Sequence, residues 1–139
     1  MSEHHSGGCL CGAVQYAVSG ELREVVNCHC GQCRRTHGHF AAYTGAALSD
    51  FSLTSSDGLQ WHQSSTRARR GFCVRCGASL FWEPAGGDYV AIAAGTLDEP
   101  TGLRTVAHIY VADAGDYYVL ADDLVKYPGS MTAGDEPDA

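Results

Sequence analysis

The chain has 139 residues, enough for one domain with a modest core and too few for two. Hydrophobic residues make up 45% and charged ones 18%, which excludes a disordered chain, and a net charge of −7 argues against a general nucleic-acid or membrane-surface binder, which needs a basic footprint. No apolar run approaches the roughly 18 residues of a membrane-spanning helix, and the polar start, Met1 to His5, lacks an apolar signal region, so a cytoplasmic protein is expected.

In chain order, His4 and His5 read as a loose end. Val14, Tyr16 and Val18 alternate with Ala13, Gln15 and Ala17, the period of a half-buried strand. A short helical turn is expected after Cys30, running through Arg34 and Arg35. Residues 40–44, 51–53 and 59–62 read as shorter strands. Leu80 and Trp82 alternate with Phe81 and Glu83, Val90 and Ile92 continue the pattern, and 107–111 is a further strand. Residues 122–126 are the other helical candidate. No segment sustains a 3.6-residue apolar period, and 17 glycines supply turns, as at Gly86-Gly87-Asp88. The expectation is a mainly β single domain over residues 1–128, followed by an acidic, flexible tail at 129–139.

Seven cysteines are an odd number, so disulfides alone cannot use them all. They fall in three clusters: Cys9-Leu10-Cys11-Gly12, then Cys28-His29-Cys30-Gly31-Gln32-Cys33, then Cys73-Val74-Arg75-Cys76-Gly77. In a reducing compartment, clustered thiols bind metal or do chemistry. A CxxCG turn holds two sulfurs at chelating distance, and zinc favours four such soft ligands in a tetrahedron. Two pairings are open. Cys9, Cys11, Cys73 and Cys76 can form a closed quartet, leaving Cys28, Cys30 and Cys33 as a trio with an open position. Alternatively, Cys30 and Cys33 can join Cys73 and Cys76 as a zinc ribbon, which leaves Cys9, Cys11 and Cys28 unexplained. A closed site suits structure, and three ligands with a vacancy suit catalysis. A disulfide-exchange role for Cys30 and Cys33 lacks the βαβ surroundings it would need.

His29 sits between two candidate ligands, so its ring is expected to point away from them. His37 and His39 follow closely and are candidates for the open position, although a surface place is the commoner fate. His108 reads as a hydrogen-bonded core histidine. Arg34, Arg35, Arg67, Arg69, Arg70 and Arg75, six of the nine basic residues, lie near the second and third clusters. They can balance thiolate charge, bind an anionic ligand, or form a solvated basic face.

Three linked motifs resemble those of the glutathione-dependent formaldehyde-activating enzyme family, which includes the centromere protein V branch. Residues Gly7 to Tyr16 resemble its opening GxCxCGxVxY, Cys28 to Arg35 its CHCxxCRR segment, and Phe72 to Gly77 its closing FCxxCG. The chain departs from the pattern at Val125, where a proline follows the leucine, and at Tyr117-Tyr118, where a tryptophan is common. The resemblance implies a small zinc-organised β-tent of antiparallel sheets. It implies two Zn²⁺ ions: a structural one on Cys9, Cys11, Cys73 and Cys76, and a catalytic one on Cys28, Cys30 and Cys33. It further implies a carbon–sulfur lyase-like activity on a thiol adduct, with glutathione plus formaldehyde giving S-hydroxymethylglutathione as the named family reaction. Arg34 and Arg35 would then contact substrate carboxylates. A non-catalytic, zinc-organised binding module is the alternative that the family allows.

Overall fold

The structure is a computed structural model, and it describes residues 3–131. Most of the expected acidic tail, from residue 132 on, lies outside the described residues. The architecture is mainly β. Strands β1 (His4–Gly8), β2 (Val14–Ser19) and β5 (Phe51–Ser56) form one antiparallel sheet in the order β1-β2-β5. The second sheet has eight strands. It contains β3 (Val25–Cys28), β4 (Ala41–Ala47), β6 (Leu59–Gln63), β7 (Ala68–Cys73), β8 (Ser79–Pro84), β9 (Tyr89–Ala93), β10 (Thr105–Ile109) and β11 (Val125–Lys126). Their order is β11-β10-β3-β4-β9-β8-β7-β6.

Strand β2 shows why these segments are strands. Val14, Tyr16 and Val18 are buried while Gln15 and Ser19 are exposed, so one pleated face meets the core. That face packs on Leu80, Phe81, Val90 and Ile92 of the larger sheet. The Tyr16 and Phe81 rings meet edge to face at 5.4 Å. Each fully buried Leu, Ile or Phe contributes about 1.5–3 kcal/mol of transfer free energy, so this seam between the sheets is the main apolar store. A second cluster gathers Cys28, Cys30 and Cys33 with Ala41, Tyr43, Ala91 and Tyr110.

Four expectations are corrected. His4 and His5 are not a loose end: they pair with Ser19 and Val18 in β1. The sheets are not wholly antiparallel, because β10 runs parallel to both β3 and β11. Residues 122–126 form no helix. A five-residue segment gains too few bonds to offset nucleation, whereas the Asp122 carboxylate accepts from the Leu124 amide at 3.0 Å and the chain then enters β11. Finally, β3 and β7 lie where no strand was expected. All four residues of β3 are buried, so no alternation marks it. In β7, Arg69 and Arg70 hide the apolar pattern. Strand β10 ends at Ile109 because Tyr110 turns into the left-handed region, with φ 56°.

Candidate metal centres

Two cysteine groups form where turns and strand ends meet. The first comprises Cys9, Cys11, Cys73 and Cys76, with all four sulfurs within 4.8 Å of one another. Cys9 and Cys11 occupy the β1–β2 turn, and Cys73 and Cys76 the β7–β8 turn. The group therefore joins the small sheet to the large one. Each turn closes on a glycine in the left-handed region, Gly12 at φ 86° and Gly77 at φ 81°, a conformation that costs other residues strain. The backbone points amides at sulfur: Val14 N–H donates to Cys9 Sγ at 3.2 Å. Amides of Ala78 and Cys11 hold the Cys76 thiol down to about 6. The Cys9–Cys11 and Cys11–Cys73 sulfur distances are 3.8 and 3.7 Å. Thiolates about 2.3 Å from a tetrahedral zinc lie about 3.8 Å apart. The donor set and spacing fit that ion, and the group can hold a metal.

The second group is Cys28, Cys30 and Cys33, also within 4.8 Å of one another and each no more than 6% exposed. Cys28 ends β3. Cys30 caps the short helix α1 (Gly31–His37), its sulfur accepting the Cys33 amide at 3.2 Å. Gly38 closes α1 in the left-handed region. Among the described residues no fourth ligand atom joins the trio. Hydrogen bonds from Cys28 and then Cys33 hold the Cys30 thiol far below its usual range, while Cys30 and Cys33 push Cys28 far above. Among the three close sulfurs, negative charge therefore settles on Cys30 at the expense of Cys28.

The histidines go elsewhere. His29 is fully buried, with Nε2 2.8 Å from His108 Nδ1 and Nδ1 2.7 Å from the Tyr118 hydroxyl. His108 Nε2 in turn lies 2.9 Å from Asp122 Oδ2. A carboxylate only accepts, so with both rings neutral the donation runs Tyr118 to His29 to His108 to Asp122. Burial holds His29 neutral, with its pKa lowered to about 4. His37 Nε2 meets the Tyr43 hydroxyl at 2.9 Å, and His39 Nδ1 meets that of Tyr117 at 2.7 Å. Neither joins the trio.

Cys28 and Cys33 line a cleft of about 550 Å³, together with Tyr43, Trp82, Arg23 and Arg67. Arg34 and Arg35 lie on α1 and are not among the residues lining it. Arg34 is half-buried and its Nε makes no hydrogen bond among the described residues. The residue that touches the trio is Arg70, 5% exposed, whose guanidinium reaches Cys33 Sγ at 3.5 Å. Sequence reading placed it only within a group of six arginines. Ala68 and Arg70 share the buried face of β7, but that strand was not legible in the sequence, so nothing there singled Arg70 out. Arg23 was outside that group of six, although it precedes Cys28 as closely in sequence as Arg67 precedes Cys73.

With this geometry in view, two likenesses bear on the chain. Residues 4–113 match the family described as glutathione-dependent formaldehyde-activating enzyme. The crystal structure of a Rhodobacter sphaeroides protein, a structural genomics target, is similar with a TM-score of 0.59 and 26% identity, covering 72% of this chain and 97% of that one.

Proposed function

Since the chain belongs to the glutathione-dependent formaldehyde-activating enzyme family, we propose that it is a zinc-dependent carbon–sulfur lyase-like enzyme that joins a thiol to a small carbonyl compound or splits the adduct. Glutathione and formaldehyde are the first pair to test. The observation that carries this reading is the unequal division of sulfur: a quartet between two sheets, and a buried trio opening on a cleft.

In this reading Cys9, Cys11, Cys73 and Cys76 hold a structural zinc, and Cys28, Cys30 and Cys33 a catalytic one. Bound there, zinc would supply a vacant position for a substrate thiol and lower that thiol's pKa. The chain's own residues do the rest. The cleft walls, Trp82 and Tyr43 among them, would place ring surface beside the reacting carbon. Arg23 and Arg67 line the cleft and present cations to the carboxylates of a tripeptide thiol, while Arg34 and Arg35 are proposed contacts from the α1 side. In the forward direction a sulfur–carbon bond forms, the carbonyl π bond opens, and the proton lost by the thiol ends on the new hydroxyl. The domain spans residues 1–128 in this reading. All seven cysteines are free, which suits a reducing cytoplasm. No helix among the described residues is long and apolar enough to cross a membrane.

The test is S-hydroxymethylglutathione formation measured against the uncatalysed background, for the zinc-loaded protein and for Cys30→Ser. The proposal expects a rate excess that Cys30→Ser abolishes. No excess over background, with two zinc ions bound per chain, would favour the non-catalytic binding module.

A further inference from the structure

A guanidinium stays charged in proteins, and burying it is costly unless the fold supplies an anion. Arg70 presents this problem sharply. Its Nε donates to Gln32 Oε1 at 3.1 Å, one terminal nitrogen to the Tyr43 hydroxyl at 3.0 Å, and the other to Cys33 Sγ at 3.5 Å. The two oxygens are neutral. No carboxylate among the described residues pairs with it. The neighbouring Arg69 shows the ordinary alternative: it pairs with Glu83 at 2.7 Å and stacks over Trp61 at 3.8 Å. The group left to balance Arg70 is therefore sulfur, that of Cys33 with Cys28 and Cys30 grouped around it, which are thiolates when they hold a metal.

The surroundings fix the direction of this charge. Tyr43 O–H accepts from Arg70 and can donate onward to His37 Nε2 at 2.9 Å, and Gln32 holds the Nε edge. With two of its three faces pinned, the guanidinium has its remaining nitrogen on Cys33. Tyr43 and Cys33 line the cleft, whereas Arg70 does not. It stands behind the sulfur and acts through it.

Charge counting gives the consequence. Three thiolates around a divalent metal total −1, and a fourth, incoming thiolate makes −2. In a poorly solvated site each added negative charge is increasingly unfavourable. The positive charge of Arg70 brings these totals to 0 and −1. We propose that Arg70 is a positioning residue, the built-in counter-cation that lets the three-cysteine site accept a further anionic sulfur ligand. This rests on the reading that the trio holds a metal, and adds to it the group that sets which ligands the metal site takes.

The experiment uses the full chain loaded with cobalt(II), whose sulfur-to-metal charge-transfer band reports ligands directly. The loaded protein is titrated with 2-mercaptoethanol, which adds a thiolate, and with imidazole, which adds a neutral ligand. For Arg70→Met, thiolate affinity is expected to fall by about tenfold or more while imidazole affinity stays within about twofold. Arg70→Lys, which keeps the charge, should hold the thiolate-to-imidazole ratio within about threefold of the unmutated protein. Equal losses for both ligands would show a packing role only and overturn the proposal, as would no loss at all. If Arg70→Met does not fold, the same ratio for Arg70→Gln and Arg70→Lys decides: an unchanged ratio in Arg70→Gln, or a collapsed one in Arg70→Lys, overturns it. An unmutated chain that binds a single cobalt and shows no thiol-dependent band overturns the metal reading itself, an outcome visible before any variant is made.

Discussion

Gly58 is where the structure predicts that one methyl group will disturb a metal site it never touches chemically. It lies in the turn between β5 and β6, buried between the two cysteine turns of the quartet. Its N–H donates to the Ala13 carbonyl at 3.3 Å, and its own carbonyl accepts from the Val74 amide at 2.8 Å. A Cβ at this position would stand 2.8 Å from Cys73 Sγ and 2.9 Å from Ala13 Cβ. Both are closer than side chains approach, so Gly58→Ala overpacks the site at a cost of about 1–3 kcal/mol. Against this, alanine restricts the unfolded chain and returns about 0.4–1 kcal/mol. Overpacking wins, because Cys73 is fully buried and its sulfur is fixed by the three others when a metal is held. The expected net loss is about 1–2 kcal/mol in denaturant unfolding with zinc present. Strain borne mainly by the metal-held form also appears as weaker binding, about five- to tenfold in competition with a chromophoric chelator. A raised unfolding midpoint, or lost stability with zinc affinity unchanged, would refute the reasoning.

Metal analysis should find close to two zinc per chain. Cys28→Ser combined with Cys30→Ser should leave about one with the fold kept, whereas Cys11→Ser should remove cooperative folding, since structural zinc binding is folding free energy; a folded Cys11→Ser chain retaining both ions would contradict the quartet. His108→Phe strips the partner from the fully buried His29 Nε2. It should cost about 1–3 kcal/mol, and a loss under about 0.5 kcal/mol would mean the histidine chain is not holding β3 to β10. His37 has its pKa lowered to about 4 by burial and then by Arg70, against an ordinary 6.5. Its neutral form is the stabilised one, so its contribution is full above about 6.5 and is lost as pH falls toward 4. His37→Gln should therefore flatten the acid side of the stability profile by up to about 1.4 kcal/mol per pH unit over that window; an unaltered slope would count against the buried, neutral ring.

The amino-acid sequence alone made the three cysteine clusters, their chelating turns and several strands legible. These are local properties: a CxxCG turn is specified by adjacent residues and a left-handed glycine, and the alternation of Val14, Tyr16 and Val18 is a period of two. The partition into quartet and trio stood open on spacing alone, because which turns meet is a matter of how β1–β2 and β7–β8 come together across two sheets. Strand β3 was hidden since burial on both faces erases the alternation, and β11 since its short sequence borrows its order from β10. Arg70 illustrates the same division. As one arginine among eight it is a surface residue by default. Only the tertiary structure buries its charge against sulfur, because burial and the choice of counter-ion are decided by neighbours distant in the chain.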